Sequence, residues 1–162
     1  LGRCYYDKYG LQVGIIRTTN IYGPYDRFDD VRSHVIPALI KRALNKENPF
    51  IIWENPNTIR DFIYVDDLMY GVLQIMEKYC IGNPINFSSG IPINIQTLVE
   101  IIQDVCNHRV PFECDQSKPS AVPYRVLDNT KFEALFNRFQ KTSLKDGVKQ
   151  TMEWYTSSLS RD

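Results

Sequence analysis

An alternation of short apolar runs with longer stretches of helical periodicity constrains the fold of this chain more than any other feature. Residues 13–16 and 50–53 are short and apolar, which is typical of buried strands. Between them, apolar side chains recur at helical spacing along one stripe: Val35, Ile36, Leu39, Ile40, Ala43 and Leu44. Strands that alternate with helices favour an α/β fold, or an α+β arrangement for an isolated piece. No repeat or linker interrupts the pattern, so we expect one domain over residues 1–162.

Capping residues indicate where four helices begin or end. Gly10 follows a helical stretch and is expected to end it, because glycine readily adopts the left-handed conformation found just beyond helix ends. Ser33, Asn94 and Ser143 precede apolar stripes. These polar side chains are expected to accept hydrogen bonds from the first turns of three later helices.

Three further segments connect this framework. Residues 61–65, an aspartate followed by four largely apolar residues, predict a strand, and the carboxylates at 66–67 are expected to cap the helix that follows. Residues 18–30 are polar and aromatic and contain a Gly-Pro turn signal, so we predict a loop there. Residues 117–125 hold two prolines and no apolar periodicity, which predicts a second loop.

The composition excludes several classes of partner. The 19 basic and 19 acidic residues cancel, so no basic surface favours nucleic acid or an anionic membrane. No apolar stretch approaches the ~18 residues of a membrane span. Two histidines are too few for a His-rich metal site, and no CxxC pair occurs among Cys4, Cys80, Cys106 and Cys114. We therefore expect free, mostly buried thiols and a cytoplasmic protein without a bound metal.

Two motifs of dinucleotide-dependent enzymes are absent from the sequence. No glycines are spaced as G-x-G-x-x-G, the turn that brings backbone close to a pyrophosphate at a helix N-terminus. No tyrosine is followed by a lysine four residues later. The chain also begins at Leu1, without methionine and inside a predicted helix. We therefore expect a piece of a longer protein that does not hold a dinucleotide tightly by itself.

The polar segment beyond the first predicted strand is a candidate for ligand binding, because ligands of α/β sheets bind at the carboxyl ends of strands. This segment contains Thr18, Thr19, Asn20 and Ile21. His34 lies at the mouth of the next helix, where the dipole favours a neutral imidazole that can donate or accept a proton. The alternatives are an ordinary solvated loop and a histidine bonded to a local backbone group.

Three more side chains suit a phosphorylated ligand. Arg42 lies two turns beyond His34 on the same predicted helix, and a guanidinium can bind phosphate through two hydrogen bonds. Trp53 and Arg60 flank a turn, where an indole can stack on a base or ribose while the arginine holds a diphosphate oxygen. Singly, each also fits a core or surface position. Their order and spacing favour one cleft that contains His34, Arg42, Trp53 and Arg60.

Three segments carry a resemblance to a known family: NIYGP at residues 20–24, SHVIPAL at 33–39 and RDFIYVDD at 60–67. They resemble the extended short-chain dehydrogenase/reductase family, which includes NAD(P)-dependent nucleotide-sugar epimerases, dehydratases and reductases. The middle segment is most similar to the GDP-L-fucose synthase branch. The resemblance implies the C-terminal, substrate-binding part of a Rossmann-type enzyme whose N-terminal dinucleotide-binding half is missing. Residues 1–17 would then be the last helix and strand of the Rossmann unit.

The resemblance also implies roles for individual residues. His34 would contact the cofactor, NADP or alternatively NAD, and would donate a proton to the epimerised carbon of the sugar. The nicotinamide end of the cofactor would pass Thr18, Thr19, Asn20 and Ile21. The nucleotide diphosphate sugar would be held by Arg42, Trp53, Arg60 and Arg125.

The implied reaction is 3,5-epimerisation and 4-keto reduction of a GDP sugar, with CDP or dTDP 4-keto-6-deoxy sugars as alternatives. Two departures from the fucose synthase pattern concern the substrate surface: Ser120 stands where an aspartate is usual, and residues 54–57 lack the usual glycines. The chain alone is expected to be inactive, and a homodimer is one expected assembly. A non-catalytic nucleotide-sugar-binding module and a purely structural domain are the competing hypotheses.

Overall fold

The computed structural model describes residues 1–29, 32–53, 55–115, 117, 122–136 and 140–160. Helices and strands alternate along these residues, which confirms the predicted mixed α/β class. Their order is α1 Gly2–Tyr9, β1 Val13–Arg17, β2 Asn20–Tyr22, α2 Val35–Leu44, β3 Phe50–Ile52, β4 Ile59–Arg60, β5 Phe62–Tyr64, α3 Val65–Lys78, β6 Ile81–Asn86, β7 Ile93–Asn94, α4 Ile95–Val105, β8 Phe112–Cys114, α5 Thr130–Leu135 and α6 Leu144–Leu159.

The strands pair into four short two-stranded sheets. β1 pairs with β6, β2 with β5 and β3 with β8, all in parallel, whereas β4 and β7 are antiparallel. Parallel strands require long connections, and helices supply them here. In the β2–β5 pair Asn20 lies opposite Phe62. This pairing brings the segment beyond β1 close to the segment that contains β4, although about 40 residues separate them in sequence.

Two groups of buried side chains stabilise this arrangement. The larger group joins α2, α4 and α6 to β2, β3 and β5, and its fully buried members include Ile40, Phe50, Leu98 and Val148. The smaller group lies beneath α3 and α5 and includes Ile75, Ile85 and Phe87. Burial of one such side chain contributes about 1.5–3 kcal/mol, so these groups rather than the short strands hold the helices in place.

Three of the predicted helix boundaries are confirmed by their hydrogen bonds. α1 ends at Gly10, which has a φ of 67° and donates its N–H to the carbonyl of Tyr6. The Asn94 side chain accepts from the N–H of Thr97 at the start of α4. The Ser143 hydroxyl accepts from the N–H of Asp146 at the start of α6. These boundaries depend on contacts within four residues, which explains why the sequence predicts them.

The predicted caps of α2 and α3 are wrong. His34, not Ser33, is the N-cap residue of α2, and the Ser33 hydroxyl donates instead to the carbonyl of Arg27. Tyr64 is the N-cap residue of α3, because the chain passes directly from β5 into the helix. The buried Asp67 carboxylate accepts from the backbone N–H and the hydroxyl of Thr142. It therefore ties α3 to the segment before α6 instead of capping its own helix.

The predicted loop at residues 18–30 contains a strand, and this prediction is corrected. β2 is only three residues long and includes the polar Asn20, so it has no apolar signature of its own and depends on pairing with β5. The predicted strand at 61–65 is shorter, because Asp61 is buried between β4 and β5. Its carboxylate accepts from the Ser89 hydroxyl and from the N–H groups of Gly90 and Leu127.

Other expectations have mixed outcomes. All four cysteines lie in the described residues as thiols, but only Cys106 is buried, so the prediction of mostly buried thiols is wrong. Ser120 and its neighbours at 118, 119 and 121, within the predicted loop at 117–125, lie outside the described residues. The division into one domain, with residues 1–17 as part of a Rossmann unit, stays a prediction. None of the described helices is both long enough and apolar enough to cross a membrane.

Candidate functional site

A cavity of about 420 Å³ lies between β2, the start of α2 and the segment of β4 and β5, and we call it the histidine cavity. It is lined by Thr19, Asn20, Ile21, Tyr22, His34, Val35, Ile36, Arg60 and Phe62. Most of these residues come from the two segments that the β2–β5 pairing brings together. The cavity therefore depends on a tertiary contact rather than on one local motif.

His34 presents an ionisable side chain at this cavity. Its backbone is extended, with φ −71° and ψ 167°, because it precedes the first turn of α2. Its Nδ1 lies 3.0 Å from Oδ1 of Asp26, and the imidazole is 72% exposed whereas the Asp26 side chain is only 12% exposed. Sequence reasoning missed Asp26, although an acidic residue in the turn before a helix-start histidine was the available signal.

Three of the four residues predicted to pass the nicotinamide, Thr19, Asn20 and Ile21, line the histidine cavity, whereas Thr18 precedes them in the chain and is not among its lining residues. The Asn20 amide donates to the carbonyl of Asp61 at 3.0 Å, and Ile21 is partly exposed. The hydroxyls of Thr18 and Thr19 are buried and have no hydrogen-bond partner within the described residues. An unsatisfied buried hydroxyl costs about 1–3 kcal/mol, so a polar partner for either group would be stabilising.

Arg60 lies in β4 and is 5% exposed, so its side chain is largely withdrawn from solvent. Its Nη1 donates to the carbonyls of Ile59 and Val122, at 3.0 and 2.7 Å. Arg125 is exposed, and its backbone N–H donates to the carbonyl of Ile59. Arg125 therefore lies beside β4, but it is not among the residues that line the histidine cavity.

A second cavity of about 490 Å³ lies beside α2 and β3, and we call it the indole cavity. It contains Arg42 and Trp53, together with the polar side chains of Lys41, Asn45 and Glu47. The Arg42 guanidinium lies 5.2 Å from the centre of the half-exposed Trp53 ring. The same guanidinium donates to the carbonyl of Ile51 and lies 3.9 Å from Oε2 of Glu47.

The four predicted site residues line two adjoining cavities rather than one cleft, which corrects the prediction from the sequence. His34 and Arg60 line the histidine cavity, whereas Arg42 and Trp53 line the indole cavity. Val35 lines both. The reason is the length of α2: eight positions separate His34 from Arg42, which corresponds to about 12 Å along a helix.

The tyrosines near the histidine cavity are poor candidates for a base. Burial raises the pKa of Tyr22 well above its ordinary value, and the nearby Asp67 carboxylate adds to this effect. Burial likewise raises the pKa of Tyr64, whose hydroxyl hydrogen-bonds Oε1 of Gln150 at 3.0 Å. Both phenols therefore stay protonated near neutral pH and do not act as bases.

Comparison with known proteins finds relatives named for nucleotide-linked sugars. GDP-L-fucose synthase 1 of Arabidopsis thaliana is 32% identical over 87% of this chain and 45% of its own length. A dTDP-4-dehydro-6-deoxy-D-allose reductase of Streptomyces bikiniensis is 29% identical over 96% of this chain and 47% of its own length. The chain spans about half the length of the curated relatives it matches.

Solved structures show the same likeness of fold. The crystal structure of a GDP-L-fucose synthetase from Naegleria fowleri superposes with a TM-score of 0.86 and 24% identity, over 98% of this chain and 52% of that one. The chain therefore has the fold of about half of a Rossmann-type epimerase or reductase, as its sequence motifs predict. The family model for the NAD dependent epimerase/dehydratase family matches residues 2–88. Because that match covers more than half of the chain, the chain belongs to the NAD dependent epimerase/dehydratase family.

Proposed function

We propose that this chain is the nucleotide-sugar-binding portion of an NADP-dependent epimerase/reductase that acts on a GDP-linked 4-keto-6-deoxy sugar. One observation carries the proposal: α2 presents His34 to one cavity and Arg42 to the next, with Val35 lining both. The spacing of about 12 Å along the helix suits a ligand with a reactive sugar at one end and a nucleotide at the other.

The histidine cavity would receive the sugar. A 4-keto group acidifies the neighbouring C–H bonds, so epimerisation removes a proton and returns one to the opposite face of the same carbon. A group that donates this proton must lie at the cavity and be accessible to the sugar. His34 meets both requirements, because it lines the cavity and its imidazole is largely exposed.

The cofactor-facing residues fit a nicotinamide at the same cavity. Thr19, Asn20 and Ile21 line this cavity, and the Thr19 hydroxyl has no hydrogen-bond partner within the described residues that a polar atom of the cofactor would have to displace. NADP, or NAD as the alternative, would supply the hydride for reduction of the keto group. The chain lacks the Gly-rich turn for the pyrophosphate, so we propose that the chain alone binds the cofactor weakly and is inactive.

The indole cavity would receive the nucleotide. The exposed face of Trp53 can stack on a base, and the Arg42 guanidinium beside it can turn toward a phosphate. The Glu47 carboxylate, 42% exposed at the same cavity, can accept two hydrogen bonds. Guanine offers adjacent N–H donors from its ring and its amino group, whereas thymine offers a single ring N–H. This difference supports a GDP sugar over a dTDP sugar.

A dTDP or CDP sugar is the second candidate substrate, and the Streptomyces relative with a dTDP-linked substrate in its name favours it. Titration calorimetry of the chain with GDP, dTDP and CDP separates the candidates. We expect the tightest binding for GDP and a loss of about tenfold or more in Arg42→Ala. The matched control is Arg109→Ala, because that exposed arginine pairs with Asp104 and lies outside the residues of both cavities.

Turnover is tested separately in the gene product that contains this chain, as NADPH oxidation with GDP-4-keto-6-deoxymannose. Oxidation that depends on His34 would support the proposed reaction. Nucleotide binding without any oxidation would instead support a non-catalytic binding module, and no binding of any nucleotide would leave only a structural domain. A cytoplasmic location and a homodimer belong to the same proposal.

A further inference from the structure

The contacts of His34 point to a second functional residue. We propose that Asp26 is a positioning residue that holds His34 in one tautomer, with the proton on Nδ1 and Nε2 left for the substrate. The proposal deepens the proposed function, since it assumes that His34 transfers protons at the histidine cavity. Its structural part, the tautomer, can be measured without any substrate.

The hydrogen bond between the two residues defines which ring nitrogen carries the proton. Nδ1 of His34 lies 3.0 Å from Oδ1 of Asp26. An ionised carboxylate only accepts hydrogen bonds, so Nδ1 must donate and the neutral ring has Nε2 as its unprotonated nitrogen. The Asp26 side chain is 12% exposed and the imidazole 72% exposed. The inner residue is therefore the fixed one, and the outer residue is accessible to a ligand.

The carboxylate itself is held by its own turn. Oδ1 of Asp26 also accepts from the N–H of Arg27 at 2.8 Å, and the N–H of Asp26 donates to the carbonyl of Gly23. Oδ2 is buried without a partner in the described residues, so no strong contact there competes for the orientation of the group. Ser33 adds a tether, since its hydroxyl donates to the carbonyl of Arg27.

The C-terminal helix holds this turn against the rest of the molecule. Tyr25 packs on Trp154, with ring centres 5.0 Å apart, and Phe28 stacks on Tyr155 at 3.8 Å with nearly parallel planes. Tyr25 and Phe28 lie on either side of Asp26 in sequence. Two aromatic contacts with α6 therefore fix the short segment that carries the carboxylate, and the orientation of His34 depends on both.

Nuclear magnetic resonance of the chain labelled with ¹⁵N-histidine tests the tautomer directly. The chain has two histidines, and they are expected to differ. Nε2 of His108 lies 2.8 Å from the carbonyl oxygen of Glu47, so that ring must carry its proton on Nε2. Two-bond ¹H–¹⁵N correlations should show the Nδ1–H form for His34 and the Nε2–H form for His108. An Nε2–H form for His34 in the unsubstituted chain overturns the proposal.

Substitution of the carboxylate supplies the second test. In Asp26→Asn the amide can donate to Nδ1, so we expect His34 to shift toward the Nε2–H form while the His108 signals stay unchanged. Asp26→Glu keeps an acceptor and should retain part of the Nδ1–H population. If His34 keeps its tautomer in Asp26→Asn and His108 shows that the fold is intact, Asp26 does not position the ring.

Kinetics in the gene product that contains this chain separate a positioning role from a general structural one. We expect Asp26→Asn to lower kcat about tenfold or more and to change KM less than twofold. In a His34→Gln background the same substitution should have no further effect, because Asp26 acts through the imidazole. An equal loss in both backgrounds overturns the proposal. An Nδ1–H His34 in an enzyme without turnover contradicts the proposed function instead.

Discussion

The two cavities of this molecule are built in different ways. The histidine cavity is enclosed by segments far apart in sequence, brought together by the β2–β5 pairing and by the turn around Asp26. The indole cavity is lined largely by one helix and one strand that follow each other, α2 and β3. The histidine cavity holds its polar groups through tertiary contacts, whereas the indole cavity presents exposed side chains on two elements that are adjacent in sequence. This difference suits reaction at one end and recognition at the other.

Removal of the imidazole should give the largest effect, and it should be confined to one cavity. We expect His34→Gln to lower kcat for the keto sugar by about 10²–10⁴-fold, because proton transfer loses its donor. GDP affinity should change less than twofold, since the nucleotide end is some 12 Å away along α2. NADPH oxidation and calorimetry of the same gene product measure the two effects. Arg109→Ala, outside the residues of both cavities, is the control, and a large loss of GDP affinity in His34→Gln would remove the contrast between the cavities.

Removal of the indole should affect the other cavity. Stacking of a base on an aromatic ring contributes about 1–3 kcal/mol, so Trp53→Ala should weaken GDP binding about 5- to 150-fold. Trp53→Phe should retain most of the affinity, because it keeps an aromatic face. Calorimetric titration measures both variants. Equal affinity in Trp53→Ala and the unsubstituted chain would mean that the nucleotide does not bind at the indole.

The core beneath α2 should show its own dependence on pH. Burial raises the pKa of the Cys106 thiol to about 11 from an ordinary value of 9.0, with Lys46 opposing the effect. The raised pKa in the folded state means that its stabilisation is complete below pH 9 and is lost as the pH rises to about 11. We expect a loss on the order of 2 kcal/mol, measured by urea unfolding. Cys106→Ala should flatten this part of the profile, and an unchanged slope would contradict it.

Base selectivity should give the smallest effect and sharpen the comparison within the indole cavity. Glu47→Gln replaces one acceptor oxygen by a donor, so we expect the preference for GDP over dTDP to fall about three- to fivefold. Competitive displacement of a fluorescent GDP analogue by each nucleotide measures it. A preference that stays the same would assign recognition of the base to other residues of this cavity.

Local signals in the sequence were sufficient for the parts of the fold that depend on neighbouring residues. The caps Asn94 and Ser143 satisfy backbone groups within three positions, so residue type alone predicts them. β2 was missed because its stability comes from a partner some 40 residues away. Asp67 was assigned to its own helix, whereas its partner Thr142 is 75 positions distant. The spacing of residues along the sequence does not predict contacts between partners that are so far apart.

The same distinction applies to the candidate site. The sequence motifs predict His34, Arg42, Trp53 and Arg60 as site residues, and in the structure all four line a cavity. The sequence did not show that α2 divides them between two spaces, because that depends on where β3 and β4 pack. Nor did it show that Asp26 folds back to His34, since the turn is fixed by aromatic contacts with α6.

A single residue, Val35, lines both cavities where α2 begins. A ligand that occupied both cavities, as proposed above, would have to pass this isopropyl group, so its bulk would set the angle between the two halves of the ligand. Enlarging or trimming this one side chain would change that angle while every polar contact kept its donor and acceptor.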